Sequence, residues 1–187
     1  MIKLFARIWA AFWFWRGPKF RQIKRLQTES RLYGRKIRRI ARSTGRFLVV
    51  RAPSTVTRTT SIGEGCVFNG VHVYGEGDVA IGNHVIFGNG TVIYSANHDY
   101  DAGNAIPFGT GWKLKPVRID DCAWIASHVI VLPGTHIGEG AIVQAGAVVH
   151  GEIPPLAIAG GNPARVFAWR DRTHYEKLKA KGAYTLC

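Results

Sequence analysis

From Tyr94 to Asn104 the chain reads YSANHDYDAGN, and here its chemistry-bearing residues crowd together. A histidine, His98, is followed at once by two carboxylates, Asp99 and Asp101. Imidazole, with an ordinary pKa of about 6.5, can take and return a proton at neutral pH, which suits it to proton transfer from a hydroxyl. The other six histidines lie on a repeat pattern or in the tail, where a packed or solvated ring is the ordinary outcome. Other chemistries lack their residues. No GxxxxGK(S/T) loop and no GxSxG elbow occurs, and neither Gly75-Glu76-Gly77 nor Gly88-Asn89-Gly90 completes GxGxxG ahead of a helical pattern. The three cysteines, Cys66, Cys122 and Cys187, are odd in number with no CxxC pair, which favours free thiols in a reduced, cytosolic setting.

What must hold that histidine is a rhythm of six. Branched or aromatic residues recur at Val56, Ile62, Phe68 and Tyr74, then after one extra residue at Ile81, Phe87 and Ile93. Beyond the gap they run without a slip through Ile119, Ile125, Val131, Ile137, Val143 and Val149. A six-residue period matches neither an amphipathic helix nor a simple alternating strand, and predicts short parallel strands stacked as a β-helix. Each hexad is expected to send one aliphatic side chain inward and to turn at Gly or Asn. Residues 98–116 then form a loop excluded from the coils, free to wall a cleft. The expected fold is all-β, with a helical N-terminal extension and a short C-terminal helix, Trp169 to Lys181, outside the last coils.

Charge divides the chain unevenly. Of the 25 Lys and Arg, 15 lie in residues 1–51 with a single acid, Glu29, so that this quarter carries +14 and residues 52–187 carry −1. The body is therefore no polyanion-binding domain, and no nucleic-acid motif accompanies the charge. Residues 4–15 are apolar apart from Arg7 and hold Phe5, Trp9, Phe12, Trp13, Phe14 and Trp15. That stretch is too short to span a bilayer, which takes about 20 residues, and no small-residue cleavage site follows it. Written as a helix, Phe5, Ile8, Phe12 and Trp15 share a stripe. After Pro18, the apolar residues Phe20, Ile23, Leu26, Tyr33, Ile37 and Ile40 continue among Arg and Lys. Two destinations fit: an anionic leaflet, met through residues 1–46, or the protein's own body and its neighbouring subunits. The expected domains are a leader over 1–51, a repeat domain over 52–168 containing loop 98–116, and a tail over 169–187.

The hexads, the loop opening on NHDYD, the block IDDCAWIASHVIVLPGTHIGEGAIVQAGAVV and the closing IPPLAIAGGNPARV together resemble the hexapeptide-repeat O-acetyltransferases. Maltose and galactoside acetyltransferases and bacterial surface-polysaccharide acetyltransferases are the relatives in view, and the likeness covers about residues 56–168. It implies a left-handed parallel β-helix with triangular coils, a homotrimer, and acetyl-CoA bound between neighbouring subunits, with no metal. It implies further that His98 is the general base for direct attack of a sugar hydroxyl on the thioester. Asp99 or Asp101 would orient the imidazole or bind sugar hydroxyls, although the family often has proline after its histidine. Trp124 would line the acceptor or thioester end of the cleft, and Ser127 or its backbone would sit near the acetyl carbonyl. Ala145 and Gly146 match the small residues beside which the pantetheine arm runs. Asn162, Pro163 and Arg165 match the turn over the adenine end, with Arg165 near phosphate.

The expected acceptor is a saccharide of a surface polysaccharide or of its lipid-linked precursor, because a soluble sugar gives no reason to hold an enzyme at a membrane. Arg118 and Trp112 are candidates to hold it, and the protein is expected to be cytoplasmic, peripheral on the inner face of the membrane. Two other classes share such a coil. A γ-type carbonic anhydrase needs three histidine ligands for its metal, and this chain has Gly103 where an HxxxxH pair would place the second. A non-catalytic scaffold has no need of the histidine loop together with the closing turn.

Overall fold

The computed structural model describes the backbone of residues 18–185 and the side chains of residues 27–185. The aromatic stripe from Phe5 to Trp15 and the side chains of Phe20, Ile23 and Leu26 lie outside the described residues. Three parallel sheets form the faces of a coil. The first holds β1 (Ser43–Thr44), β3 (Thr60–Ile62), β6 (Val79–Ile81), β11 (Val117–Ile119), β14 (His136–Ile137) and β17 (Glu152–Ile153). The second holds β2 (Val49–Ala52), β4 (Val67–Asn69), β7 (Ile86–Phe87), β12 (Trp124–Ile125), β15 (Ile142–Val143) and β18 (Ala157–Gly161), with β19 (Ala164–Trp169) folded back antiparallel on β18. The third holds β5 (Val71–Tyr74), β8 (Thr91–Tyr94), β13 (Ile130–Val131) and β16 (Val148–Val149). The chain visits the faces in turn, so each circuit lays one rung on each.

Register follows the hexads. Ile119 pairs with Ile81 and Ile137, Ile125 with Phe87 and Val143, and Val131 with Ile93 and Val149. These columns are fully buried or nearly so, and each side chain taken from water contributes about 1.5–3 kcal/mol. The expectation of one inward residue per hexad is corrected to two. Val117 with Ile119, Ala123 with Ile125, and Val129 with Val131 are buried as pairs, because residues two apart on an extended segment share a face. Thr135 holds one such position, and its hydroxyl donates to the Leu132 carbonyl at 2.6 Å.

The count also slips at one marker. Val73, not Tyr74, pairs with Ile93 and points inward, because the corner after Phe68 is one residue shorter than the same corner one coil on, after Phe87. Tyr74 faces out and stacks on Tyr94 with ring centres 5.5 Å apart. Some corners admit only glycine. Gly65 has φ +68° and Gly90 has φ +70°, and a Cβ on either would meet the ring of His84 or His128 at 2.4 or 2.7 Å.

The leader is less separate than its charge implies. Helix α1 (Pro18–Ile40) begins at a proline suited to a first turn and places Arg38 and Arg39 in its last, where cations favour the carbonyl end. Tyr33, Ile37 and Ile40, spaced as one helical stripe, pack on the coil, and Ile37 is completely buried. For these three residues the body is the partner. Arg38 fastens the helix to the first turn by donating to Thr44 Oγ1 at 3.0 Å and to the Gly45 and Arg46 carbonyls at 2.6 Å. The coil itself starts at Ser43, inside the segment assigned to the leader, with Leu48 and Val50 already in the core. A chain begun near Arg51 would therefore lose core residues. No helix among the described residues is long and apolar enough to cross a membrane.

At the other end helix α2 (Arg172–Ala180) packs outside the last coils. Asp171 caps it by accepting the His174 N–H at 2.8 Å, and Tyr175 is buried against Gly140 with its hydroxyl donating to Glu139 at 2.9 Å.

Candidate active site

The gap in the hexads is a hairpin. β9 (Ala96–His98) leaves the corner after the third face and pairs antiparallel with β10 (Trp112–Leu114), which sets Trp112 opposite His98. That register brings aromatic rings onto the imidazole: Trp112 lies 4.1 Å from its centre at 32°, and Phe108 lies 3.8 Å away at 17°. The His98 ring is thus held between two faces. Its backbone N–H donates to Asn97 Oδ1, while its ring nitrogens have no partner among the described residues. They remain open to a substrate hydroxyl.

The two carboxylates go elsewhere. Asp99 Oδ1 accepts the backbone N–H groups of Asp101 and Ala102, and Lys113 bridges Asp99 at 3.1 Å and Asp101 at 2.5 Å. The Ala102 N–H and then the Lys113 ammonium hold the Asp99 carboxyl below its usual range. Neither carboxylate hydrogen-bonds to the imidazole, which corrects the first of the two expected roles, and the pair shapes the loop. Gly103 and Gly109 then close on each other so tightly that a Cβ on Gly103 would meet the Gly109 nitrogen at 2.4 Å. Phe108 follows from that closure, because it precedes Gly109. Phe108 and Lys113 carry no signal in the sequence that singles them out, and Trp112, expected to stack on a sugar, stacks on His98 in this structure.

The expected donor residues collect on a different edge. Ser127, Ala145 and Gly146 lie at successive turns of the corner between the second and third faces, and the Gly146 N–H donates to the Ser127 carbonyl at 3.0 Å. Ser127 Oγ accepts the Asn89 N–H at 3.2 Å. Gly146, at φ +73°, has nothing within 4 Å of where a Cβ would sit, so this edge is open to a close approach. Gly160 lies against Gln144, which brings the hairpin turn with Asn162 and Pro163 onto the same edge one coil further. Arg165 follows on β19, exposed. Between this edge and the His98 edge lies the outer side of the third face, where Tyr74, Tyr94 and Ile130 are 49%, 38% and 37% exposed. One chain does not bring His98 to Ser127.

Trp124 is on neither edge. It stands on the outer side of the second face between Ile86 and Ile142, half-exposed, in a cleft of about 520 Å³ that α2 and Tyr184 complete. Arg118 is occupied on the first face, where it donates to Asp120 Oδ1 at 2.6 Å and His136 meets Oδ2 at 2.8 Å. Burial pushes Asp120 up, and these two partners outweigh it and hold the carboxyl low. Among the described residues no three His, Cys, Asp or Glu side chains converge as a metal-ligand set.

Residues 116–151 match the family model described as bacterial transferase hexapeptide, six repeats. A Schizosaccharomyces pombe protein classed by name with the acetyltransferases is 44% identical over 90 residues, which is 46% of this chain and 41% of that protein. A Bacillus subtilis protein so classed is 33% identical over 54% of this chain and 53% of its own. The chain thus spans about half or less of the length of these curated relatives. Among solved structures, a hexapeptide-repeat-containing acetyltransferase from Vibrio cholerae is 28% identical, with a TM-score of 0.63 over 80% of this chain and 90% of its own. Galactoside acetyltransferase in complex with coenzyme A shares the fold at 20% identity, with a TM-score of 0.63 over 76% of this chain and 72% of its own.

Proposed function

We propose that this chain, a parallel β-helix whose residues 116–151 match the bacterial transferase hexapeptide model, is an acetyl-CoA-dependent O-acetyltransferase acting on a sugar hydroxyl. The observation that carries the chemistry is the His98 imidazole, clamped between Phe108 and Trp112 with its ring nitrogens open. One ring nitrogen takes the proton of the acceptor hydroxyl as its oxygen bonds to the acetyl carbon of the thioester. The tetrahedral intermediate collapses, the C–S bond breaks, and the imidazolium returns its proton to the departing thiolate. The products are the acetyl ester and free coenzyme A, and no enzyme nucleophile is needed. Ser127 or the backbone beside it stabilises the oxyanion, Ala145 and Gly146 admit the pantetheine arm, and Asn162, Pro163 and Arg165 receive the nucleotide end.

The distribution of these residues over two edges supports a homotrimer. A neighbouring copy seated on the apolar third face brings its Ser127 edge to the His98 loop, so that each site is completed by two chains. The acceptor is a saccharide of a surface polysaccharide or its lipid-linked precursor, and the protein works at the inner face of the cytoplasmic membrane, held through residues 1–46. What supports this is the +14 charge of residues 1–51 beside an aromatic segment.

The test is release of coenzyme A thiol and acetyl gain on a panel of sugars, with His98→Ala alongside. The variant is expected to lose about 10²- to 10⁴-fold in turnover while still binding coenzyme A. Near-normal turnover would sink the assignment of the base, and failure of the wild type to bind coenzyme A would favour a scaffold. Mass spectrometry of surface glycan with and without the gene then names the acceptor.

A further inference from the structure

Helix α1 meets the first coil along a groove of about 560 Å³, lined on the helix side by Leu32, Tyr33, Arg35, Lys36 and Arg39 and on the coil side by residues 53–55. The helix divides its cations into two groups. Arg38 is used up on the carbonyls of the first turn, and Arg42, just beyond the helix, pairs with Asp78 at 2.6 Å. Arg35, Lys36 and Arg39 make no ion pair among the described residues, although like charges at i and i+4 weaken a helix. The facing wall is neutral and internally satisfied: Ser54 Oγ donates to the Ala52 carbonyl and accepts the Val71 N–H, and Thr55 Oγ1 meets His72 Nδ1. Three unneutralised cations in a concave site set up a field that calls for an anion.

We infer that this groove binds the phosphate headgroup of an anionic lipid. Leu32, 63% exposed at the rim beside the cations, gives the site an apolar lip that a soluble phosphate does not use and the base of an acyl chain does. The same helix runs back to Pro18, beyond which the sequence carries its aromatic segment. The inference rests on the membrane-surface reading above and moves the anchor from the aromatic segment of the leader to the part of α1 that packs on the coil.

The full-length protein is sedimented with phosphatidylcholine vesicles, with and without phosphatidylglycerol. Arg35→Gln, Lys36→Gln and Arg39→Gln are read singly and together, against a charge-matched control with Arg172→Gln and Lys177→Gln on α2 and Lys181→Gln at its C-terminal cap. Each groove cation is expected to account for about fivefold in affinity for the anionic vesicles, and the three for about 100-fold. The control is expected to weaken binding by no more than about fivefold. Equal loss in both triple variants would mean that net charge alone is read, and no loss in the groove variants would return the anchor to the aromatic segment before Pro18. Either overturns the groove. Displacement of the wild type by inorganic phosphate at an affinity matching that for vesicles would overturn the lipid as its source. Acetyl transfer to a water-soluble acceptor is read on the same samples. A dead enzyme that still separates the two triple variants supports the groove and sinks the catalytic reading instead.

Discussion

Removing the rings that clamp His98 tests whether the clamp belongs to the chemistry. In the structure Phe108 and Trp112 hold the imidazole by stacking, and pairs of this kind contribute about 0.5–1.5 kcal/mol each. In the proposed reaction the ring would take the acceptor's proton and become a cation between two aromatic faces, and each face would then add about 0.5–1 kcal/mol at a partly exposed site. Only this second contribution grows between ground state and transition state, so only it must appear in kcat. At about 1.4 kcal/mol per factor of ten, Trp112→Leu or Phe108→Leu alone should lower kcat about two- to fivefold, and the pair about five- to thirtyfold. Trp112→Phe should recover most of the loss at its position. The assay is steady-state thiol release with acceptor and acetyl-CoA varied in turn. A rise in the KM for acceptor at unchanged kcat would refute the clamp and restore Trp112 to the role of a sugar platform. Full kcat in the double variant would refute it as well.

Arg165→Ala should raise the KM for acetyl-CoA with little change in kcat, because a remote phosphate contact is made equally in ground and transition states; an unchanged KM would leave Arg165 a surface charge. Ile125→Ala, in a column between Phe87 and Val143, should cost roughly 2–5 kcal/mol and lower the urea midpoint accordingly, and a midpoint within error of wild type would mean that the column is not cooperative.

The coil was legible because parallel rungs repeat one environment, and from Ile119 to Val149 nothing interrupts the count. It failed at Tyr74, where an aromatic at the sixth place hides the fact that Val73, after a shortened corner, is the residue turned inward. His98 was legible by type and by its place in the gap. Its surroundings were not, because Phe108 and Trp112 reach it only through the β9–β10 register and the closure at Gly103 and Gly109. Asp99 and Asp101 look like partners of the histidine by proximity in sequence, yet Lys113, across the hairpin, competes for both. The stripe of Tyr33, Ile37 and Ile40 fits a membrane and a protein core equally well as a pattern, and only the three-dimensional packing distinguishes them.

The two ends of the coil have a consequence for solubility. A stack of identical rungs has no natural length, and an uncovered terminal rung is a template on which the next molecule could continue the sheet. Here α1 lies against β2, the last strand of its sheet, and plugs the interior with Ile37, while at the far end β19 reverses direction and takes the edge of β18. On the second face both edges on which a fibre could grow are thus covered by other segments of the same chain.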